Sequence, residues 1–113
     1  MTTPAEFARF KREALRLMDK LGLKGWRVVF LHEKLDGCYG DMLANHQGRI
    51  ATIRYNKVPD TVAVPEDPER VARHEVLELF LARFEMLARS RFTLPDDIEE
   101  EKHAIIRTLE NLV

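Results

Sequence analysis

The first part of the chain repeats apolar residues at steps of three and four, which is the spacing of one face of an α-helix. Thr3, Pro4 and Glu6 form a capping box with proline in the first helical turn. Gly22 follows the last apolar residue, where a left-handed C-terminal cap is favoured. The pattern therefore predicts an amphipathic helix that begins after Thr3 and ends before Gly22. Its apolar stripe consists of Phe7, Phe10, Ala14, Leu17, Met18 and Leu21.

Three segments in the middle of the chain have the composition of β-strands. Trp26–Leu31, Tyr39–Asn45 and Arg49–Asn56 contain aromatic and β-branched residues, and the third segment alternates apolar with polar positions. Asp36-Gly37 and Gln47-Gly48 mark turns between them. Because short connections of this kind normally join antiparallel neighbours, the sequence predicts an antiparallel meander of three strands.

Two further helices follow a segment that is interrupted by prolines. This segment, Lys57–Pro68, is predicted to be a connecting loop. Asp67 and Pro68 are typical of a helix start, and the apolar positions after them predict a helix to about Arg89. Since these apolar residues nearly encircle the helix, we expect it in the middle of the domain. Pro95 begins a last helix that is predicted to run to the C-terminus.

Composition narrows the class of protein. The chain has 113 residues, of which 45% are hydrophobic and 33% charged, as is typical of one globular domain. Together with the order of elements, this predicts a single α+β domain over residues 1–113. No apolar run is long enough to span a bilayer, so no membrane span or membrane partner is predicted. The lone Cys38 cannot form a disulfide within the chain, which favours a cytoplasmic location.

The charges are unevenly distributed, although the formal net charge is only −1. Bases are concentrated in the first predicted helix, and acids in the last. We therefore expect these two helices to attract each other across one fold. Phe7 and Phe10 belong to the apolar stripe of the first helix, so its polar face has no aromatic side chains among the bases for stacking, and this argues against nucleic acid as a partner.

The second predicted helix contains the sequence Arg73-His74-Glu75-Val76-Leu77-Glu78. His74 and Glu78 are four residues apart and therefore lie on the same helix face. The apolar neighbours of Glu78 predict a poorly solvated carboxylate, which needs a cation, hydrogen bonds or a proton. Two interpretations stay open at this point: Glu78 pairs with an arginine or lysine, or it shares a metal ion with His74.

The layout resembles that of small phage and bacterial zincin-like proteins of the minimal gluzincin type. The matching stretches are Leu23–Val28, Arg49–Arg54, Ala72–Leu77 and Arg107–Leu112, and within them only His74-Glu75 carries the chemistry of the family. Members of that family have an active-site helix with the pattern HExxH and a last helix that supplies an acidic metal ligand. The resemblance implies a zinc-binding domain related to metallopeptidases, a class of hydrolases, with a peptide or protein as substrate or partner.

By this resemblance His74 is the first metal ligand, and Glu75 is the catalytic general base that takes a proton from metal-bound water. The second histidine of the pattern is replaced by Glu78, which becomes the second ligand. The third ligand is assigned to Glu101 on the last helix, with Glu100 as the alternative. One imidazole and two carboxylates neutralise Zn²⁺, so zinc should bind weakly, other divalent cations such as manganese should compete, and hydrolysis is disfavoured.

A second function is compatible with the same layout. The chain is alternatively a metal-free phage or bacterial interaction protein of the same fold. The resemblance also implies that the strand Arg49–Tyr55 pairs with an extended peptide, provided that it lies at the sheet edge facing the active-site-type helix.

Overall fold

A computed structural model describes residues 1–59 and 65–112, which form four helices and one three-stranded sheet. This combination of helices with one sheet confirms the predicted α+β class. Residues 60–64 of the predicted loop and the last position of the predicted C-terminal helix, Val113, lie outside the described residues. The elements are α1 (Pro4–Lys20), β1 (Arg27–Glu33), β2 (Gly40–Asn45), β3 (Ile50–Asn56), α2 (Pro68–Phe80), α3 (Ala82–Arg89) and α4 (Pro95–Glu110).

The ends of α1 follow the predicted capping signals. Thr3 Oγ1 accepts a hydrogen bond from Glu6 N at 3.1 Å, and Glu6 Oε1 accepts one from Thr3 N at 3.0 Å. These two bonds form the predicted capping box. Gly22 has a φ of +69°, which confirms the left-handed residue after the helix. The buried side of α1 presents Phe10, Ala14 and Met18.

The strand order differs from the predicted meander. The sheet has the order β1-β3-β2, with β3 parallel to β1 and antiparallel to β2. The antiparallel meander is therefore wrong in one of its two pairings. The chain that leaves β1 passes the end of β3 and begins β2 on the far side, so that β1 and β2 are both edge strands.

A buried asparagine holds this crossing in place. Asn56, the last residue of β3, is completely buried. Its Nδ2 donates to Leu35 O at 3.0 Å and to Cys38 O at 2.6 Å, and its Oδ1 accepts from Leu35 N at 3.1 Å and from Val58 N at 2.9 Å. The side-chain amide thus takes the place of backbone partners for the loop that joins β1 to β2.

Helices α1 and α2 pack against each other and cover one face of the sheet. The predicted helix to Arg89 is interrupted at Leu81, where α2 ends and α3 turns the chain toward α4. Helix α4 packs on α3 and buries none of its residues completely. None of the described helices is both long and apolar enough to cross a membrane.

In the described chain, no ion pair joins the basic helix α1 to the acidic helix α4. Within the described chain, the ion pairs of α1 are formed inside α1 or with α2: Arg9 pairs with Glu69, and Glu13 pairs with Arg16 and Arg73. These bonds hold the pKa of Glu13 at about 2, well below the usual value for glutamate. The acids of α4 find partners on α3 and α4 instead.

Candidate functional site

Helix α2 places its three predicted site residues in different environments. Glu75 lies on the buried face of the helix and is only 6% exposed. The side chains of His74 and Glu78 are 70% and 50% exposed. The predicted burial of Glu78 is therefore wrong. Apolar residues occur on all sides of α2, so hydrophobic periodicity does not identify its packed face. Leu77, beside Glu78, is exposed as well.

Glu75 is buried because β2 lies directly against α2. A Cβ atom on Gly40 would stand 3.4 Å from Glu75 Cγ and 2.8 Å from Val71 Cγ1. In the described part of the chain, no group donates a hydrogen bond to the Glu75 carboxylate. Burial raises the pKa of Glu75 to about 7; nearby His74 opposes the increase, whereas Glu78 and Asp41 add to it. Sequence analysis did not predict this contact, although a glycine within a strand is a signal for close approach of another element.

His74 and Glu78 form the contact that their spacing predicts. His74 Nε2 lies 3.5 Å from Glu78 Oε1. A pair of the same kind occurs on α4, where His103 Nδ1 lies 3.7 Å from Glu99 Oε2. Such exposed pairs contribute a few tenths of a kcal/mol to helix stability and are by themselves ordinary surface contacts.

Glu101 lies in a different part of the fold. Its Oε2 accepts a hydrogen bond from Arg83 Nε at 2.9 Å, and its side chain is 12% exposed. Glu100, the alternative third ligand, is exposed on α4. The structure thus joins His74 to Glu78 but does not bring Glu101 to them.

The described side chains do not form the metal site that the resemblance implies. In residues 1–59 and 65–112, no three His, Cys, Asp or Glu side chains lie close enough together to hold a metal ion. Zinc sites in proteins normally take at least three ligands from the chain. The described residues supply a pair, His74 and Glu78, and do not fit the predicted three-ligand site.

The free edge of the sheet that faces α2 belongs to β2. The prediction that the strand Arg49–Tyr55 pairs with a peptide is wrong, because this strand is β3 and occupies the centre of the sheet. Asn56 N donates to Tyr39 O at 2.7 Å, which sets the alternation of hydrogen bonds along β2. In this register Gly40, Met42 and Ala44 turn their backbone N–H and C=O groups away from β3.

A groove runs beside this edge. It has a volume of about 460 Å³ and lies between β2 and α3. Met42, Ala44 and Met86 give it apolar walls, while Glu85 and Arg89 are charged groups along it. These two charges pair with each other at 3.0 Å, which leaves the groove without a net charge from them. The outward backbone groups of β2 therefore face open space with apolar surroundings.

No family model matches the chain. Comparisons with curated proteins and with solved structures return no match either. Nothing in these comparisons identifies a zincin-like family, so the resemblance stays a prediction.

Proposed function

We propose that this protein is a polypeptide-binding domain, in which an extended segment of a partner protein adds to the sheet at β2. The observation that carries the proposal is the free edge of β2 beside an apolar groove. Main-chain hydrogen bonds to Gly40, Met42 and Ala44 would supply affinity, and the groove would accept alternate side chains of the added segment. This is the interaction-protein alternative, with the binding edge moved from β3 to β2.

The groove also indicates the composition of the partner segment. Met42, Ala44 and Met86 favour apolar side chains at every second position, because side chains of an extended strand alternate between its two faces. The Glu85–Arg89 pair provides no net charge for a charged segment to match. A cytoplasmic location, which the free thiol of Cys38 favours, is part of this proposal.

The test is a selection of short random peptides on the full chain, followed by amide hydrogen exchange of the selected complexes. We expect alternating apolar peptides that slow exchange at the outward amides of Gly40, Met42 and Ala44. Peptides that bind without slowing this exchange would contradict addition at β2.

Two matched variants distinguish peptide binding at the β2 edge from binding on the outer face of the sheet. Leu43→Glu changes an exposed residue that lines the groove, and Val29→Glu changes an exposed residue on β1, at the other edge. We expect Leu43→Glu to weaken peptide binding, because a strand added at β2 would cover part of this exposed side chain and a carboxylate would lose hydration there. Val29→Glu should bind as the parent does. Equal loss in both variants would place binding on the outer sheet face instead.

A second candidate function is binding of a divalent cation at His74 and Glu78. The 3.5 Å separation of their side chains and the neighbouring buried Glu75 favour it. Zinc or manganese would take further ligands from solvent or from a bound partner.

Calorimetric titration with zinc and with manganese tests this candidate. We expect His74→Ala to remove cation binding, whereas His103→Ala, which breaks the equivalent pair on α4, should leave it unchanged. Glu78→His should bind zinc more tightly than the parent, because imidazole is the better zinc ligand. Equally weak binding by the parent and Glu78→His would refute the cation site and leave the peptide-binding function unaffected.

A further inference from the structure

A second cleft adjoins the β2 groove at His46 and Met86. It has a volume of about 550 Å³ and lies between the turn that joins β2 to β3, the end of α1, the α2–α3 junction and α4. Leucine and isoleucine side chains of these helices form part of its wall. A cleft of this size holds a small organic ligand.

Arg49 provides an unpaired cation in this cleft. Its guanidinium carbon lies 5.7 Å from the centroid of the Trp26 ring, and no carboxylate in the described chain forms an ion pair with it. Its φ of +53° is the only positive φ at a non-glycine residue that the structure describes. Arg49 takes this conformation at the end of the turn that leads into β3.

Arg83 provides a second guanidinium group. Glu101 accepts one hydrogen bond from its Nε at 2.9 Å, and this contact orients the group. The two terminal nitrogens of Arg83 have no hydrogen-bond partner among the described residues. With two guanidinium groups against one carboxylate, the charged side chains of the cleft favour an anionic ligand.

We propose that this cleft binds a small organic oxyanion, a carboxylate or a phosphate monoester with an apolar body. Guanidinium groups of Arg49 and Arg83 would hold the oxyanion, because their planar donors match the oxygen geometry of carboxylate and phosphate. The apolar body would pack on the wall that Trp26 and the helices form. Glu101 is then a positioning residue for Arg83. This site shares His46 and Met86 with the β2 groove but uses none of the outward backbone groups of β2.

An NMR titration of the full chain tests the site. The probes are phenylacetate, phenyl phosphate and the neutral phenylacetamide, which matches phenylacetate in size. We expect at least one of the two anions to shift the Trp26 indole N–H and the Arg83 Nε–H signals, and the stronger anion identifies carboxylate or phosphate as the preferred group. Phenylacetamide should bind at least about tenfold more weakly than phenylacetate or phenyl phosphate. Added salt should weaken the binding of the anions.

Arg49→Gly and Arg91→Gln are the matched variants. Glycine accepts the positive φ at position 49, so Arg49→Gly removes the side chain with its guanidinium group and adds no backbone strain there. Arg91 lies 5.2 Å from the Phe92 ring centroid, outside the cleft, and serves as the control. We expect Arg49→Gly to weaken anion binding about tenfold or more and Arg91→Gln to leave it unchanged. Equal binding of the amide and the anions, or an unchanged affinity in Arg49→Gly, would overturn the proposal.

Discussion

Gly40 and Glu75 pack against each other where β2 meets α2, and a Cβ atom at position 40 would lie 3.4 Å from Glu75 Cγ. This contact removes the Glu75 carboxyl from water beside the free edge of β2. The buried acid and the proposed peptide-binding edge are therefore products of the same packing. Substitutions of Gly40 and of Glu75 therefore test the packing between β2 and α2.

Glu75 should make stability depend on pH. Its pKa is about 7 in the folded chain and about 4.5 in the unfolded chain, so the native state holds the proton more tightly. This contribution is complete below pH 4.5 and is lost as pH rises to about 7. The loss corresponds to at most about 3 kcal/mol of unfolding free energy.

Urea unfolding of the parent and Glu75→Gln between acidic and alkaline pH measures this loss. We expect the variant to gain stability relative to the parent as pH rises from about 4.5 to about 7. The difference between the two proteins is informative because burial lowers the pKa of His32, which acts in the opposite direction in both. A difference that does not change with pH would contradict an ionisable buried Glu75.

Gly40→Ala should be destabilising. The added methyl would stand 2.8 Å from Val71 Cγ1 and 3.0 Å from the backbone oxygen of Arg54, so β2 or α2 must shift. Overpacking of this kind costs about 1–3 kcal/mol. Gly25→Ala is the control, because its nearest neighbour would be the Arg49 side chain at 3.7 Å. Thermal unfolding of both variants checks the prediction, and equal melting temperatures would argue against tight β2–α2 packing.

Asn56→Ala should loosen the loop that crosses the end of β3. The substitution removes the side-chain partners of Leu35, Cys38 and Val58, and unsatisfied buried groups cost about 1–3 kcal/mol each. We expect faster amide exchange at Leu35 and a large loss of stability. Asn45→Ala removes one exposed hydrogen bond, which Gly48 N donates to Asn45 Oδ1, and should cost less than about 1 kcal/mol. Similar losses in the two variants would contradict the central role of Asn56.

Tyr55→Phe should leave stability unchanged or increase it by about 1 kcal/mol. The Tyr55 hydroxyl is buried without a hydrogen-bond partner in the described chain, and burial raises its pKa to about 12. Removing it relieves a desolvation cost, while the ring contact with Phe10 at 4.7 Å is kept. Chemical denaturation of the variant checks this expectation. A destabilised variant would reveal a hydrogen bond, such as one to a buried water.

Local features of the fold follow from the sequence alone. Thr3 and Glu6 cap α1, Gly22 ends it in the left-handed conformation, and Pro95 begins α4. These features depend on hydrogen bonds and steric limits within a few residues, so the identities of neighbouring residues are sufficient to predict them. The three strands are found for the same reason, because their composition and the turns between them are local.

Tertiary structure decided the strand order and the site. Asn56 directs β2 to the far edge of the sheet through contacts with residues 18 to 21 positions away in sequence. The face of α2 that buries Glu75 rather than Glu78 was set by β2, since apolar residues occur on all sides of that helix. Glu101 pairs with Arg83 because α4 packs on α3. Each outcome depends on which distant groups meet, and hydrophobic periodicity contains no information about such partners.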